Sequence, residues 1–163
     1  MSTERIIVQR SIADKFREAL QETAKAVLPN VVPTTYLAMA PAVEKNKQLI
    51  ADAVSKGAKV LFGEGGGNPF KGSIQPTIIE GLTPDMSLYK TESFGPIATL
   101  HVVDTEEEAI ALANDTEYGL ASAVFTEDLR RGLRVARQIE SGYVLCLTIS
   151  SLPVFCPFCV HRC

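Results

Sequence analysis

Glu92-Ser93-Phe94-Gly95-Pro96 places a carboxylate two residues before an aromatic ring and then closes the backbone with Gly-Pro. In an extended segment, positions two apart point to the same face. Glu92 and Phe94 are therefore predicted to grip one ligand together, the acid on hydroxyls and the ring on a flat heterocycle. A nucleotide's ribose and base offer that pair of surfaces. The competing reading is a solvated acid next to a core aromatic at a turn. Gly95 and Pro96 are expected to shape the turn, because glycine accepts torsions that other residues avoid and proline fixes its own φ.

Three other stretches invite chemistry, and none is assigned a ligand site. The run Gly63-Glu64-Gly65-Gly66-Gly67-Asn68-Pro69 exposes backbone amides, but a phosphate cradle needs a helix directly after it and a Gly-Lys-Ser/Thr or G-x-G-x-x-G spacing; here the chain leads towards a strand. Glu106, Glu107 and Glu108 sit where a helix dipole favours negative charge and are expected to be a solvated helix start, not a metal site. Cys156, Cys159, His161 and Cys163 are soft ligands compressed into one short stretch without a separated second pair. Reactive thiols are expected there rather than zinc, and no metal site is assigned.

The elements that must carry these residues follow from periodicity. Ile6, Ile7 and Val8 read as a buried strand. Ser11 and Asp14 then mark a helix start, and Ile12, Phe16, Ala19, Leu20, Thr23, Ala24 and Val27 form a buried stripe that Pro29 is expected to end. Residues 30–40 read as irregular. Pro41 suits the first turn of a second helix that buries Val43, Leu49, Ile50, Ala53 and Val54, turns Glu44, Lys45 and Lys47 to water, and is capped by Gly57. Strands are predicted at 59–62, 76–79, 97–103 and 121–125, with helices opening at Thr105 and spanning 128–139. This alternation predicts an α/β layered sheet, largely parallel, with crossover helices on its faces.

The chain has 163 residues, 46% hydrophobic and 21% charged, the composition of a globular chain with a real core. A net charge of -3 gives no basic field, and no nucleic-acid binding is expected. The amino end alternates charged and apolar residues, unlike a secretory signal, so cytoplasmic residence is the default expectation. Residues 143–160 carry no charge, but Pro153, Pro157, Thr148, Ser150 and Ser151 argue against a membrane span. All four cysteines, Cys146, Cys156, Cys159 and Cys163, lie at the carboxyl end, so they form no distributed disulfide framework.

From Ser2-Thr3-Glu4-Arg5-Ile6-Ile7-Val8-Gln9, through Glu92-Ser93-Phe94-Gly95-Pro96, to Asn114-Asp115-Thr116-Glu117-Tyr118-Gly119-Leu120 and Glu140-Ser141-Gly142, the chain resembles the catalytic domain of NAD(P)-dependent aldehyde dehydrogenases. Within that family it looks most like the branch acting on aromatic aldehydes such as salicylaldehyde and vanillin. The resemblance implies an oxidoreductase with NAD or NADP as cofactor, Glu92 bonding the nicotinamide ribose and Phe94 lying against the nicotinamide. It also implies a Cys nucleophile immediately before the position of Met1. A general-base Glu, an oxyanion-hole Asn and the phosphate-binding part of the dinucleotide domain precede that Cys.

No catalytic residue is therefore assigned within the chain, which by this reading is a catalytic domain truncated at both ends. Taken alone it is expected to be inactive, since positioning without a nucleophile or oxyanion donor carries no turnover. Residues 1–144 form the partial catalytic domain. Gly142-Tyr143-Val144 agrees with the family, but Leu147 stands where an Asn is expected, and 145–163 reads as an unmatched Cys-rich apolar tail of the kind a shifted reading frame or retained intron would produce. The alternative is a non-catalytic interaction fragment that associates with full-length aldehyde dehydrogenase subunits.

Overall fold

The computed structural model describes residues 4–31, 35–36, 40–147 and 159–162. In chain order the elements are β1 (Arg5–Gln9), α1 (Arg10–Val31), β2 (Thr35–Tyr36), α2 (Ala40–Ser55), β3 (Lys59–Phe62), β4 (Gly67–Asn68), a 3-10 turn (Pro69–Lys71), β5 (Ser73–Ile74), β6 (Thr77–Glu80), α3 (Ser87–Lys90), β7 (Ile97–Val103), α4 (Glu106–Asn114), β8 (Ala121–Phe125), α5 (Leu129–Ala136), β9 (Tyr143–Leu147) and β10 (Cys159–Arg162). The chain divides into two compact units, one built mainly from Thr3–Ala19 and Leu100–Cys163 and the other from Leu20–Thr99.

In the first unit the strands run in the order β7-β1-β10-β8-β9. β8 and β9 are parallel, joined by the crossover helix α5, as the alternating pattern predicts. β10 departs from that pattern. It lies between β1 and β8 and is antiparallel to both, with Ile7 opposite Val160 and Val124 opposite the same residue on the other side. The expectation of a largely parallel sheet is therefore corrected to a mixed one.

The core of this unit gathers Ile7, Val103, Ala109, Ala113, Val124, Val135 and Ile139. Ala109 and Ala113, four residues apart on α4 and fully buried, present one small-residue face to that core. Arg5 secures the end of that helix, its Nη1 donating to the carbonyls of Leu112 at 2.9 Å and Asp115 at 3.0 Å. The start of α4 carries a capping box: Thr105 Oγ1 accepts from Glu108 N, and the Glu108 carboxylate accepts from Thr105 N. Glu106 does more than face water. Its two carboxylate oxygens accept from Arg134 Nε and Nη2 on α5, each at 2.8 Å.

α5 begins after Asp128, whose side chain accepts from the amides of Arg130 and Arg131, and ends at Ala136, three residues before the predicted end. Gln138 N already bonds Val135 O at 2.9 Å, a tightened turn that closes the α-helix while still burying Ile139. His101, on β7, is buried. That burial, together with the charge of Arg5, pushes its pKa down to about 4, so the imidazole is neutral at ordinary pH.

In the second unit β3 pairs antiparallel with β6, the other departure from a parallel sheet. The connection between them contains β4, the 3-10 turn and β5 but no α-helix, the usual crossover between parallel strands. The glycine run leads into the small antiparallel ribbon β2-β5-β4. Leu49, Ile50 and Ala53 of α2 pack with Ala58, Ile79, Leu82, Met86, Leu88 and Ile97.

The predicted stripe on α2 differs from the observed one at two positions. Val54 is 45% exposed, whereas Asn46, three residues after Val43 and three before Leu49, is completely buried. Gly57, at φ 101, ends the helix, its amide bonding Val54 O at 3.0 Å. α1 continues through Pro29 to Val31, because a proline removes one amide donor without stopping this helix, and Val27, placed on its stripe by periodicity, is 44% exposed.

Among the described residues no helix is long and apolar enough to cross a membrane, and no group of His, Cys, Asp or Glu could hold a metal ion. Cys156 and Cys163 lie outside the described residues.

Candidate functional site

Residues 92–96 connect α3 to β7, and their backbone is fastened on every side. Lys45 Nζ donates to Glu92 O at 2.9 Å. Asn46 Nδ2 donates to Ser93 O at 3.1 Å and, within its own helix, to Ala42 O at 2.8 Å. Ser93 is buried, and its hydroxyl accepts from Gly95 N at 3.1 Å, folding the turn over itself. Thr77 N, at the start of β6, donates to Pro96 O at 2.9 Å.

Two features differ from the extended pair that the spacing predicts. Phe94 has φ 51, in the left-handed region that a bulky side chain rarely enters, so the segment is a turn rather than a strand. The unusual torsion falls on Phe94 instead of Gly95. Gly95 is required for space: a Cβ there would lie 2.3 Å from Asn46 Oδ1 and 2.7 Å from Asn46 Cγ. The two residues singled out are joined by a third, since the ammonium that bonds Glu92 O also stands 5.7 Å from the centroid of the Phe94 ring, within cation–π range.

The turn thus presents a phenyl ring that is 71% exposed, while Glu92 is half-buried at its base. A fixed, exposed ring can stack on a flat heterocycle, and a carboxylate can accept from hydroxyls. Lys45 and Asn46 are the members that sequence reasoning missed. Lys45 looks like one of several solvated cations on α2. Asn46 carried a usable signal, a lone amide at helical spacing within an apolar stripe, which calls for a buried polar partner.

The chain matches the model of the aldehyde dehydrogenase family over residues 1–158. It is 42% identical over 149 residues to vanillin dehydrogenase of Pseudomonas fluorescens, covering 87% of this chain and 30% of that protein. Its fold is similar to a salicylaldehyde dehydrogenase from Pseudomonas putida G7 complexed with salicylaldehyde, with a TM-score of 0.79 and 34% identity, covering 88% of this chain and 30% of the other. It is also similar to a succinic semialdehyde dehydrogenase from Streptococcus pyogenes in complex with NADP+, with a TM-score of 0.76, 35% identity and coverage of 92% and 34%. The chain thus spans less than half the length of each of these proteins. A segment matched almost from end to end, with its Glu-x-Phe-Gly-Pro turn built and braced as described, belongs to the aldehyde dehydrogenase family.

Proposed function

We propose that these residues form the nicotinamide-side part of an NAD(P)-dependent aldehyde dehydrogenase that oxidises an aromatic aldehyde to the carboxylic acid. The observation that carries this reading is Phe94, which is exposed and held at φ 51. A left-handed torsion on a bulky residue costs about 1–3 kcal/mol and persists where the surroundings enforce it, commonly at ligand clamps. The vanillin and salicylaldehyde relatives support the aromatic substrate class.

In this reading the Phe94 ring lies against the nicotinamide, and the Glu92 carboxylate accepts from the ribose hydroxyls. The cofactor, NAD or NADP, supplies the hydride acceptor. The protein's part is to orient that ring and to keep the turn from collapsing. Within these 163 residues no Cys falls at the position that matches the family's nucleophile, so the polypeptide assayed alone is expected to show no turnover. The test is NADH formation from benzaldehyde-type substrates by the pure polypeptide. A rate above buffer, lost in Glu92→Ala, would overthrow the inactivity.

A second reading, association with full-length aldehyde dehydrogenase subunits, is favoured by one surface. Among the described residues β9 is the last strand in its sheet order, and Tyr143, Leu145 and Leu147 along it are 46%, 51% and 41% exposed. An apolar edge strand without charge or proline invites a partner. Co-expression followed by size-exclusion chromatography tests this, and elution of the chain alone as a compact monomer counts against it.

A further inference from the structure

Asn46 is fully buried on α2, and its side chain divides its work unevenly. Nδ2 makes two bonds, to Ala42 O and to Ser93 O, whereas Oδ1 is buried without a hydrogen-bond partner and faces Gly95. A buried asparagine with an unsatisfied acceptor is costly to folding, and an apolar residue of similar shape would fit the stripe between Val43 and Leu49. Stability alone therefore does not explain an amide here. What the amide adds is a donor to the carbonyl immediately before Phe94, next to the carbonyl that Lys45 holds.

Consecutive residues of one helix thus grip consecutive carbonyls of the turn. The peptide unit on the amino side of Phe94 cannot rotate while Ser93 O is bonded, and Gly95 N is held by Ser93 Oγ on the other side. Rotation of those flanking peptides is what would release the left-handed φ of 51. We propose that Asn46 is a positioning residue of this site: its Nδ2 bond to Ser93 O locks Phe94 in its left-handed, ring-out conformation, so that the ring is oriented before any ligand arrives. The proposal rests on the nicotinamide reading for its purpose, but not for its geometry.

The experiment is solution NMR on the full chain and its Asn46→Leu variant. Three local quantities are read: the amide-to-Hα coupling of Phe94, which reports φ; the hydrogen-exchange rate of the Gly95 amide; and the shift changes at Phe94 on adding nicotinamide mononucleotide. In Asn46→Leu the Phe94 coupling is expected to move towards the extended-chain value, and Gly95 exchange to rise about tenfold, the size of effect set by one lost hydrogen bond. Exchange at Ile79, in the core of the same unit, is expected to stay unchanged, and the mononucleotide response at Phe94 to disappear.

An unaltered Phe94 coupling with unaltered Gly95 exchange in the variant overturns the proposal. If Asn46→Leu does not fold, the wild-type Asn46 side-chain amide decides. Slow exchange of its protons supports the lock, and exchange as fast as that of exposed asparagines refutes it. If wild-type Phe94 ignores the mononucleotide while the coupling still changes in the variant, the nicotinamide reading fails and the positioning role stands.

Discussion

Gly95 and Asn46 share a space that holds only one of a methyl group and an amide oxygen: a Cβ on Gly95 would come within 2.3 Å of Asn46 Oδ1. Gly95→Ala is therefore expected to destabilise the protein by about 1–3 kcal/mol, the usual cost of overpacking a well-packed site. Trimming the partner should return part of that loss, so Gly95→Ala combined with Asn46→Ala is expected to be more stable than the sum of the single changes predicts. Urea denaturation of the four proteins measures the coupling, and strict additivity would show that the two residues do not compete.

Phe94→Gly separates stability from ligand contact. Removing the side chain relieves a left-handed torsion that costs about 1–2 kcal/mol for an L-residue and loses a cation–π contact with Lys45 of about 0.5–1 kcal/mol. The expected outcome is a variant as stable as the parent or slightly more so, measured by thermal melting, with no response to nicotinamide mononucleotide at the turn. A large loss of stability would mean that the ring serves the core rather than a ligand.

His101 makes stability fall on mild acidification. Burial holds its folded pKa at about 4, against an ordinary value of 6.5, so between those values the unfolded chain binds the extra proton and stability rises with pH. The contribution is fully present above pH 6.5, is lost as pH falls towards 4, and amounts to about 3 kcal/mol at one pKa unit per 1.36 kcal/mol. In His101→Gln the slope of stability against pH between 4 and 6.5 should flatten; an unchanged slope would assign the effect elsewhere.

Glu106→Gln tests the bridge between α4 and α5. The mutation removes the carboxylate that accepts both Arg134 bonds at 2.8 Å and lies 3.5 Å from Arg131 Nε. Because Arg134 is 54% exposed, the expected loss is only about 0.5–1 kcal/mol, smaller at high salt. Arg134 holds the Glu106 carboxyl below the usual carboxylate range. Its contribution is accordingly present above the ordinary carboxylate pKa and disappears as pH falls through the depressed one. Equal stability of variant and parent at neutral pH and low salt would make the bridge energetically neutral.

Much of the architecture was legible wherever the signal was local. The helix predicted to open at Thr105 became α4, Pro41 falls in the first turn of α2, and the β-rich run at 97–103 became β7. The same local reading failed at Val54, which lies one residue beyond Ala53 and so rotates off the buried stripe, and at the sheet, where residues 159–162 enter antiparallel between β1 and β8. Strand direction is set by partners far away in the chain, and periodicity contains no information about them.

The candidate site divides the same way. The types and spacing of Glu92 and Phe94, and the run of family motifs around them, are properties of the sequence alone, and they sufficed to mark the turn. The tertiary structure decided that Lys45 and Asn46 lie against it, that Phe94 rather than Gly95 takes the left-handed torsion, and that Gly95 is glycine for want of space. The physical reason is separation: Asn46 and Ser93 are 47 residues apart, and a hydrogen bond over that distance exists only once helix and turn have packed together.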